Sequence, residues 1–279
     1  MDWRTRTTIC DAGRPVNEDA CGTSGRFAWI ADGAGAAGPS HFARHGSDAA
    51  WLVREVGRCL DRLLDDNDPD VDVETACGVL ETYLDAEWGT RKTGDPAGGP
   101  TCCLLVARID DDRRVEMAVI GDVVALAPDA DGQIQVITDE RVKPFEALSL
   151  AALGTAPRLD GDMPAAARAR IQANRALMNM PAGFPLVCPN AEWADQMITA
   201  EIVLPPRKPL VLVSDGFYRL VDVFGRYTDA SLYAACAAGR GDALLAELRA
   251  IEHEDAGMSR YPRFKVHDDA TLLVVSPAQ

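Results

Sequence analysis

The chain is poor in the residues on which several large classes of protein depend. It has four histidines in 279 residues and 6% aromatic residues, and its eight cysteines form neither a C-x-x-C pair nor a Cys/His cluster with zinc spacing. A zinc site is therefore not indicated. The cysteines are expected to be small buried side chains in a reducing compartment.

Long apolar runs are absent as well. No stretch approaches the roughly 18–20 apolar residues that a membrane span needs. The opening residues, Met1 to Arg4, lack the apolar stretch of a signal peptide. We therefore expect a cytoplasmic protein with no membrane partner.

Positive charge is also scarce. The chain has 28 Lys and Arg residues against 43 Asp and Glu, a formal net charge of −15. This balance argues against a nucleic-acid backbone or an anionic membrane as the main partner. The apolar share of 47% is sufficient for a sizeable core, and the length fits one large domain or two small ones.

One motif suggests a dinucleotide site, but its context does not. Gly33 to Gly38 matches G-x-G-x-x-G after an apolar strand. A dinucleotide-binding fold needs a strand after the next helix, whereas a second helix is predicted here. Asp32 would also place a negative charge against the pyrophosphate. The context therefore argues against dinucleotide oxidoreduction as the function. The glycines are better explained by a sharp turn that brings the backbone close to a cation.

Hydrophobic periodicity predicts strands and helices in clusters rather than in alternation. Strands are predicted at residues 5–10, 27–31, 101–109, 115–120, 123–126, 133–138, 197–204, 210–214 and 270–275. Two helices capped by Ser40 and Asp72 follow the second strand, and a further pair is expected at about 228–238 and 241–255. Residues 94–100 form a break, and 143–190 are helical pieces and irregular loop. This order favours an antiparallel α+β layering over a parallel doubly wound sheet.

Aspartates stand where the apolar strands end. Asp32 and Asp215 are each followed by glycine, Asp122 follows Gly121, and the pair Asp268-Asp269 directly precedes the last strand. Each could be an ordinary turn or edge residue when it is considered alone. Carboxylates that converge would repel one another unless a cation lay between them, so the set together predicts a site for hard divalent metal ions.

These segments resemble the motifs of a known family, the protein phosphatase 2C family of metal-dependent serine/threonine phosphatases, bacterial type. Arg14 to Ala20 is similar to its R-x-x-N-E-D-A opening, and Ala31 to Gly35 to its A-D-G-x-G block. Three further blocks, V-G-D, L-x-S-D-G-hydrophobic and D-[ND]-x-T, are matched by Ile120–Asp122, Leu212–Phe217 and Asp268–Thr271. The blocks occur in the family's order between about residues 5 and 275.

The resemblance implies the architecture. We expect one phosphatase 2C-like domain over residues 1–279, with a variable flap-like segment at about 141–195. The fold implied is α+β, a four-layer α-β-β-α sandwich of two antiparallel sheets flanked by helices.

The resemblance also implies a site with two Mn²⁺ or Mg²⁺ ions. Asp32 would bridge the ions, and Asp215 and Asp268 would complete the protein ligands of one of them. The Gly33 carbonyl would serve the other ion. Glu18 and Asp19 would lie nearby and bind directly or through water.

Two more roles are carried over by the resemblance. Asp122, with Asp215, corresponds to the family's weaker third metal position. Arg14 corresponds to the residue that holds the substrate phosphate, and Arg14 and Asp32 are the residues expected to be catalytic. A guanidinium can bind two phosphate oxygens at once.

The implied activity is hydrolysis of phosphoserine and phosphothreonine in proteins by direct attack of a water activated by the two metal ions. The partners are then a phosphorylated protein substrate and, as a further candidate, a kinase. No covalent intermediate is needed, and the chain has none of the motifs G-x-x-x-x-G-K-[ST], G-x-S-x-G or H-E-x-x-H.

Several positions depart from the family's pattern. Val123-Val124 replaces Ser-Arg after Asp122, and Asp139-Glu140 replaces Asp-His. Ala34 occupies the place of a histidine general acid, so a metal-bound water is expected to protonate the leaving oxygen. These departures motivate the alternative that the chain is a pseudophosphatase, a binding or regulatory module on the same fold.

Within the flap-like segment, Asn174-Arg175 and residues 179–185 are expected either to shape substrate choice or simply to pack.

Overall fold

Ten strands form two antiparallel sheets in the part of the chain that the computed structural model describes, which is residues 1–35, 40–65, 71–89, 99–154 and 156–278. The first sheet has the order β1-β10-β9-β6-β7, with bounds Trp3–Asp11, Ala270–Pro277, Leu210–Val213, Val124–Pro128 and Ile134–Ile137. The second has the order β2-β3-β4-β5-β8, with bounds Asp19–Ser24, Phe27–Ala34, Thr101–Ile109, Arg114–Ile120 and Ile198–Val203.

The two sheets face each other across a buried apolar layer that includes Ile30, Leu105, Met117, Leu212 and Leu273. Central strands such as β4 and β9 are apolar on both faces, because each sheet is covered on its other side by helices. The resulting α-β-β-α layering confirms the predicted four-layer α+β fold.

The outer layers are helical. Helices α1 (Asp48–Asp65) and α2 (Val73–Trp88) cover the second sheet, and α5 (Asp215–Asp222), α6 (Asp229–Ala237) and α7 (Gly241–Glu254) cover the first. Among the described residues, no helix combines the length and the apolar character that crossing a bilayer requires.

The prediction for the second helix is confirmed, and that for the first is wrong at its start. Asp72 caps α2 by accepting a hydrogen bond from the Thr75 amide at 2.7 Å. Ser40 does not cap α1, which begins eight residues later. Gly46, at φ +94°, breaks the chain between them. The Ser40 hydroxyl instead donates to the Asp48 carboxylate at 2.8 Å.

Two elements were not predicted. Strand β2 is short and half-buried, and its Cys-Gly-Thr-Ser stretch carries no strong period-2 pattern. Helix α5 begins at the Asp-Gly pair that was considered as a turn. Both elements start at a predicted site residue. The part of the glycine-rich loop beyond Gly35 and most of the predicted break at 94–100 lie outside the described residues.

Segment 141–195 contains α3 (Lys143–Leu153) and α4 (Ala165–Arg175). The Asn174 side chain donates to the Phe145 carbonyl at 2.7 Å and to the Ser149 hydroxyl at 2.8 Å, which ties the two helices together. Asn179 closes the following loop by donating to the Leu186 carbonyl and accepting from its amide. These two asparagines therefore have a packing role.

A glycine allows α5 to approach the last strand. A Cβ at Gly216 would lie 2.0 Å from the Asp269 carbonyl oxygen and 3.1 Å from the Asp268 Cβ. Both are backbone or near-backbone atoms, so they cannot move aside unless the main chain shifts. The close approach brings the first turn of α5 against the segment that enters β10.

We predict opposite effects for the same substitution at two helical glycines. Gly216→Ala should lower the free energy of unfolding by about 2 kcal/mol or more, because the added methyl overlaps backbone. Gly78→Ala, in α2 where a Cβ would meet nothing within 4 Å, should raise it by about 0.5–1 kcal/mol. Urea unfolding of both variants measures the difference, and a Gly216→Ala protein as stable as wild type would contradict the described packing.

Candidate metal centre

Strand pairing and strand ends bring five aspartates to one end of the sandwich. Asp19 and Asp32 are direct partners in the β2–β3 pair. Asp122 lies in the turn where the chain passes from β5 to β6, between the two sheets. Asp215 opens α5 one residue after β9, and Asp268 lies two residues before β10.

Asp19 is the most deeply buried of the five, with 6% of its surface exposed. One carboxylate oxygen accepts a hydrogen bond from the Thr271 hydroxyl at 2.8 Å, and the other is buried without a hydrogen-bond partner. Burial raises the pKa of Asp19 to about 7 against the opposing influence of the Thr271 and Ser214 hydroxyls, and the charges of Asp269 and Asp215 add to the rise.

Asp32 is at the centre of the group. Burial raises its pKa well above the ordinary value, and the carboxylates of Asp19, Asp215 and Asp268 raise it further. Asp215 acts on the pKa of Asp32 at close range. Carboxylates that approach one another in a buried site are stabilised by a proton or a cation between them.

Asp122 is held in place from two sides. The Cys103 thiol donates to its carboxylate at 3.1 Å. The carboxylate of Asp139, which is fully buried, accepts from the Gly121 amide at 3.2 Å and is bound in turn by Arg141. Burial, with a contribution from Asp215, raises the pKa of Asp122 to about 7.

Asp268 differs from the others because it is paired with cations. Lys265 Nζ donates to one oxygen at 2.6 Å, and Arg219 Nη2 donates to the other at 2.5 Å. Burial would raise the pKa of Asp268, but these two cations outweigh it and hold the pKa below the ordinary value.

The neighbouring Asp269 organises the loop that carries two predicted site residues. Its two oxygens accept from the amides of Gly13 at 2.8 Å and Glu18 at 2.7 Å. The Glu18 carbonyl in turn accepts from the Gly33 amide at 3.0 Å. Arg14, between the two anchored amides, is exposed, and Glu18 is half-buried beside Gly35.

Oxygen is the donor type throughout the group, which suits a hard divalent cation. The unpartnered oxygen of Asp19 and the raised pKa values of Asp19, Asp32 and Asp122 show that the group lacks positive charge. In the described part of the chain, no three acidic, cysteine or histidine side chains are arranged to hold a metal ion as they stand.

Several groups that act on the centre were not predicted from the sequence. Arg219 follows Asp215 by one helical turn in α5, and recognising that helix would have placed both on one face. Lys265 precedes Asp268 by three residues in a segment that is not helical, so the spacing alone did not indicate the ion pair. Burial, Asp122, Asp215 and Asp222 raise the pKa of Glu146, on α3, to about 8, and sequence alone gave no signal for it.

The raised pKa of Asp19 has a consequence for stability. Its folded-state value of about 7 lies above the ordinary 3.8, so the folded protein retains a proton that the unfolded chain has released. The stabilisation that comes from this group is complete below pH 3.8 and is lost as the pH rises towards 7.

We therefore predict that the free energy of unfolding of the metal-free wild type falls more steeply between about pH 5 and about pH 7 than that of Asp19→Asn. Asp61→Asn, which changes the same charge at an exposed position of α1, should keep the wild-type slope. Chemical denaturation in chelator-treated buffers measures the slopes. Equal slopes for wild type and Asp19→Asn would contradict the described burial.

Comparison with known proteins gives one family. A model of the protein phosphatase 2C family matches residues 11–249. No curated protein sequence matches the chain. Among solved structures, the chain is similar to the serine/threonine phosphatase PstP/Ppp of Mycobacterium tuberculosis, with 17% identity, a TM-score of 0.56 and 100% of both chains covered.

Two further structures agree. The catalytic domain of PstP in complex with two manganese ions matches with 17% identity and a TM-score of 0.55, over 99% of this chain and 98% of that one. Stp1 of Staphylococcus aureus matches with 14% identity and a TM-score of 0.53, over 98% and 94%. At these identities the structures show a shared fold. Because the family model covers well over half of the sequence, the chain belongs to the protein phosphatase 2C family.

Proposed function

We propose that this protein is a metal-dependent phosphoprotein phosphatase that hydrolyses phosphoserine and phosphothreonine. One observation carries the proposal. Four carboxyl groups, those of Asp19, Asp32, Asp122 and Asp215, come from separate parts of the fold and are crowded at one end of the sandwich, with raised pKa values at three of them. Crowding of this kind raises the free energy of the metal-free protein, and divalent cations relieve it.

The donor set, which consists of carboxylates and a backbone carbonyl, suits two Mn²⁺ or Mg²⁺ ions by its chemistry. In this proposal Asp32 would serve both ions, and Asp215 and Asp268 would serve one of them. The Gly33 carbonyl would serve the other, with Glu18 and Asp19 binding directly or through water. A relative by fold, the catalytic domain of PstP, was solved with two manganese ions. When bound, the ions supply a water that is nucleophilic near neutral pH and positive charge for the phosphate.

A weaker third cation position is proposed at Asp122 and Asp215. Burial and the charges of Asp122, Asp215 and Asp222 raise the pKa of Glu146 to about 8, and burial with the charge of Asp215 raises the pKa of Asp222 to about 6. Glu146 belongs to α3, in the segment 141–195. A cation at this position would therefore connect that segment to the sandwich.

Arg14 is proposed to bind the substrate phosphate. The backbone on either side of it is fixed, because the Gly13 and Glu18 amides share the carboxylate of Asp269. A Cβ at Gly13 would lie 2.3 Å from the Asp268 carbonyl oxygen, so the loop passes directly over the acidic end of the sandwich. The exposed guanidinium can then meet a phosphate dianion that approaches from solvent, in a two-point contact.

The substrate phosphate would lie between Arg14 and the bound ions, and the leaving oxygen is that of serine or threonine. Ala34, at the position of the family's histidine, cannot donate a proton, so water is the proposed proton source. The proposed partners are a phosphorylated protein and the kinase that phosphorylates it. The enzyme is proposed in preference to the pseudophosphatase, because every acidic ligand position that the family motifs require is an aspartate or glutamate here.

Asp32→Asn should lower Mn²⁺-dependent hydrolysis of a phosphothreonine peptide by at least about a hundredfold, the loss that follows removal of one preorganised electrostatic group. Asp195→Asn, at an exposed position, should retain wild-type activity. Phosphate release with phosphoserine, phosphothreonine and phosphotyrosine peptides measures the rates. Wild-type protein that is no faster than Asp32→Asn in excess Mn²⁺, yet binds the peptide, would support the pseudophosphatase alternative instead.

Arg14→Ala should separate phosphate binding from metal binding. We expect kcat/KM for the phosphopeptide to fall by about tenfold or more, the value of one charge-assisted hydrogen bond, while the Mn²⁺ affinity measured by calorimetry stays at the wild-type value. Loss of Mn²⁺ affinity in this variant would show that Arg14 stabilises the metal centre, which would contradict the proposal.

A further inference from the structure

Asp268 is exceptional among the carboxylates of the centre because each of its oxygens already contacts a cationic side chain. Lys265 Nζ lies 2.6 Å from Oδ1, and Arg219 Nη2 lies 2.5 Å from Oδ2. Among the described residues, Asp19, Asp32, Asp122 and Asp215 form no such ion pair. Any metal ion that binds Asp268 must therefore share it with these two side chains or displace one of them.

The two cations differ in how firmly they are held. Arg219 is buried, with 7% of its side chain exposed, and its guanidinium also binds Glu252 at 3.0 Å. Glu252 is fully buried and is bound in turn by Arg249 and His267. Breaking this network would leave buried charges unpaired, so Arg219 is a fixed part of the packing between α5 and α7.

Lys265 is the less constrained partner. Its side chain is 31% exposed and lies at the end of a flexible four-carbon stem. Its ion pair with Asp268 joins residues three apart and does not connect separate elements of the fold. The ammonium can therefore leave Oδ1 without disturbing a buried network.

The ammonium also lies in the field of the other two carboxylates assigned to the same ion. Burial would lower the pKa of Lys265, but Asp268, Asp32 and Asp215 together raise it above the ordinary value. In the metal-free protein, these three aspartates therefore stabilise the positively charged form of Lys265.

We propose that Lys265 is a built-in competitor for the divalent ion at Asp268: its ammonium holds Oδ1 in the metal-free protein and is displaced when the ion binds, whereas Arg219 stays on Oδ2 and orients the carboxylate. The inference rests on the proposed role of Asp268 as a metal ligand. It gives this position a lower metal affinity than the same three carboxylates would have without the lysine, so that occupancy follows the concentration of free cation.

A supporting role for Lys265 would give the opposite result. If the ammonium merely held Asp268 in a geometry suited to the ion, its removal would weaken metal binding, as is usual for groups that orient metal ligands. The sign of the change in affinity therefore separates competition from support.

The test is calorimetric titration of metal-free protein with Mn²⁺. Lys265→Met keeps the length and apolar stem of the side chain but removes the ammonium, and Lys265→Gln serves as a second variant. We expect the affinity at one site to rise by about tenfold in both, because one charge-assisted hydrogen bond no longer has to be broken. The metal-free variants should also melt at a lower temperature than wild type, because Asp268 has lost a counter-charge.

Lys208→Met is the matched control. Lys208 lies in the turn before β9, at the end of that strand opposite to Asp215. Its loss makes the same change in net charge, and the Mn²⁺ affinity should remain that of wild type.

The outcomes separate this inference from the proposed function. Tighter binding in both Lys265 variants, with the control unchanged, supports competition. If the Lys265 variants bind Mn²⁺ with unchanged or weaker affinity while the wild-type protein hydrolyses the phosphopeptide, only this inference is overturned. If neither wild type nor the Lys265 variants bind Mn²⁺, the inference and the proposed function fail together.

Discussion

Repulsion between buried carboxylates is the constraint on which the rest of this structure depends. Strand pairing places Asp19 opposite Asp32, and the ends of β5 and β9 add Asp122 and Asp215. Desolvation and mutual repulsion both oppose ionisation, which is why the pKa values of Asp19 and Asp122 rise to about 7. The fold maintains this arrangement because the surrounding strands are apolar and closely packed, so the free energy of the core holds the charges together.

A second layer of polar contacts fixes the crowded groups. Asp269 fastens the loop that carries Arg14, and Asp139 fastens the turn that carries Asp122. Arg219, locked by the buried Glu252, fixes one oxygen of Asp268. Each of these groups acts through a carboxylate or a backbone amide of the centre, which is how a rigid sandwich can present a preorganised site.

Local pattern was sufficient for the features that depend on one segment. Apolar runs located nine of the ten strands, and an aspartate next to the end of each relevant run indicated the acidic centre. Features that depend on contacts between distant segments could not be predicted from local sequence pattern. Lys265 and Arg219 matter only because α5 and the start of β10 meet, and Glu146 only because α3 packs near Asp122. The first helix was placed too early because the turn at Gly46 depends on packing against Val16.

The most direct test of the account is a crystal of the protein grown in Mn²⁺, with anomalous scattering recorded at the manganese edge. We predict two strong anomalous peaks at the acidic end of the sandwich, with Asp32 in contact with both and Asp215 and Asp268 in contact with one. A well-ordered crystal in which no manganese lies among these three carboxylates would contradict the claim that their repulsion is relieved by metal ions.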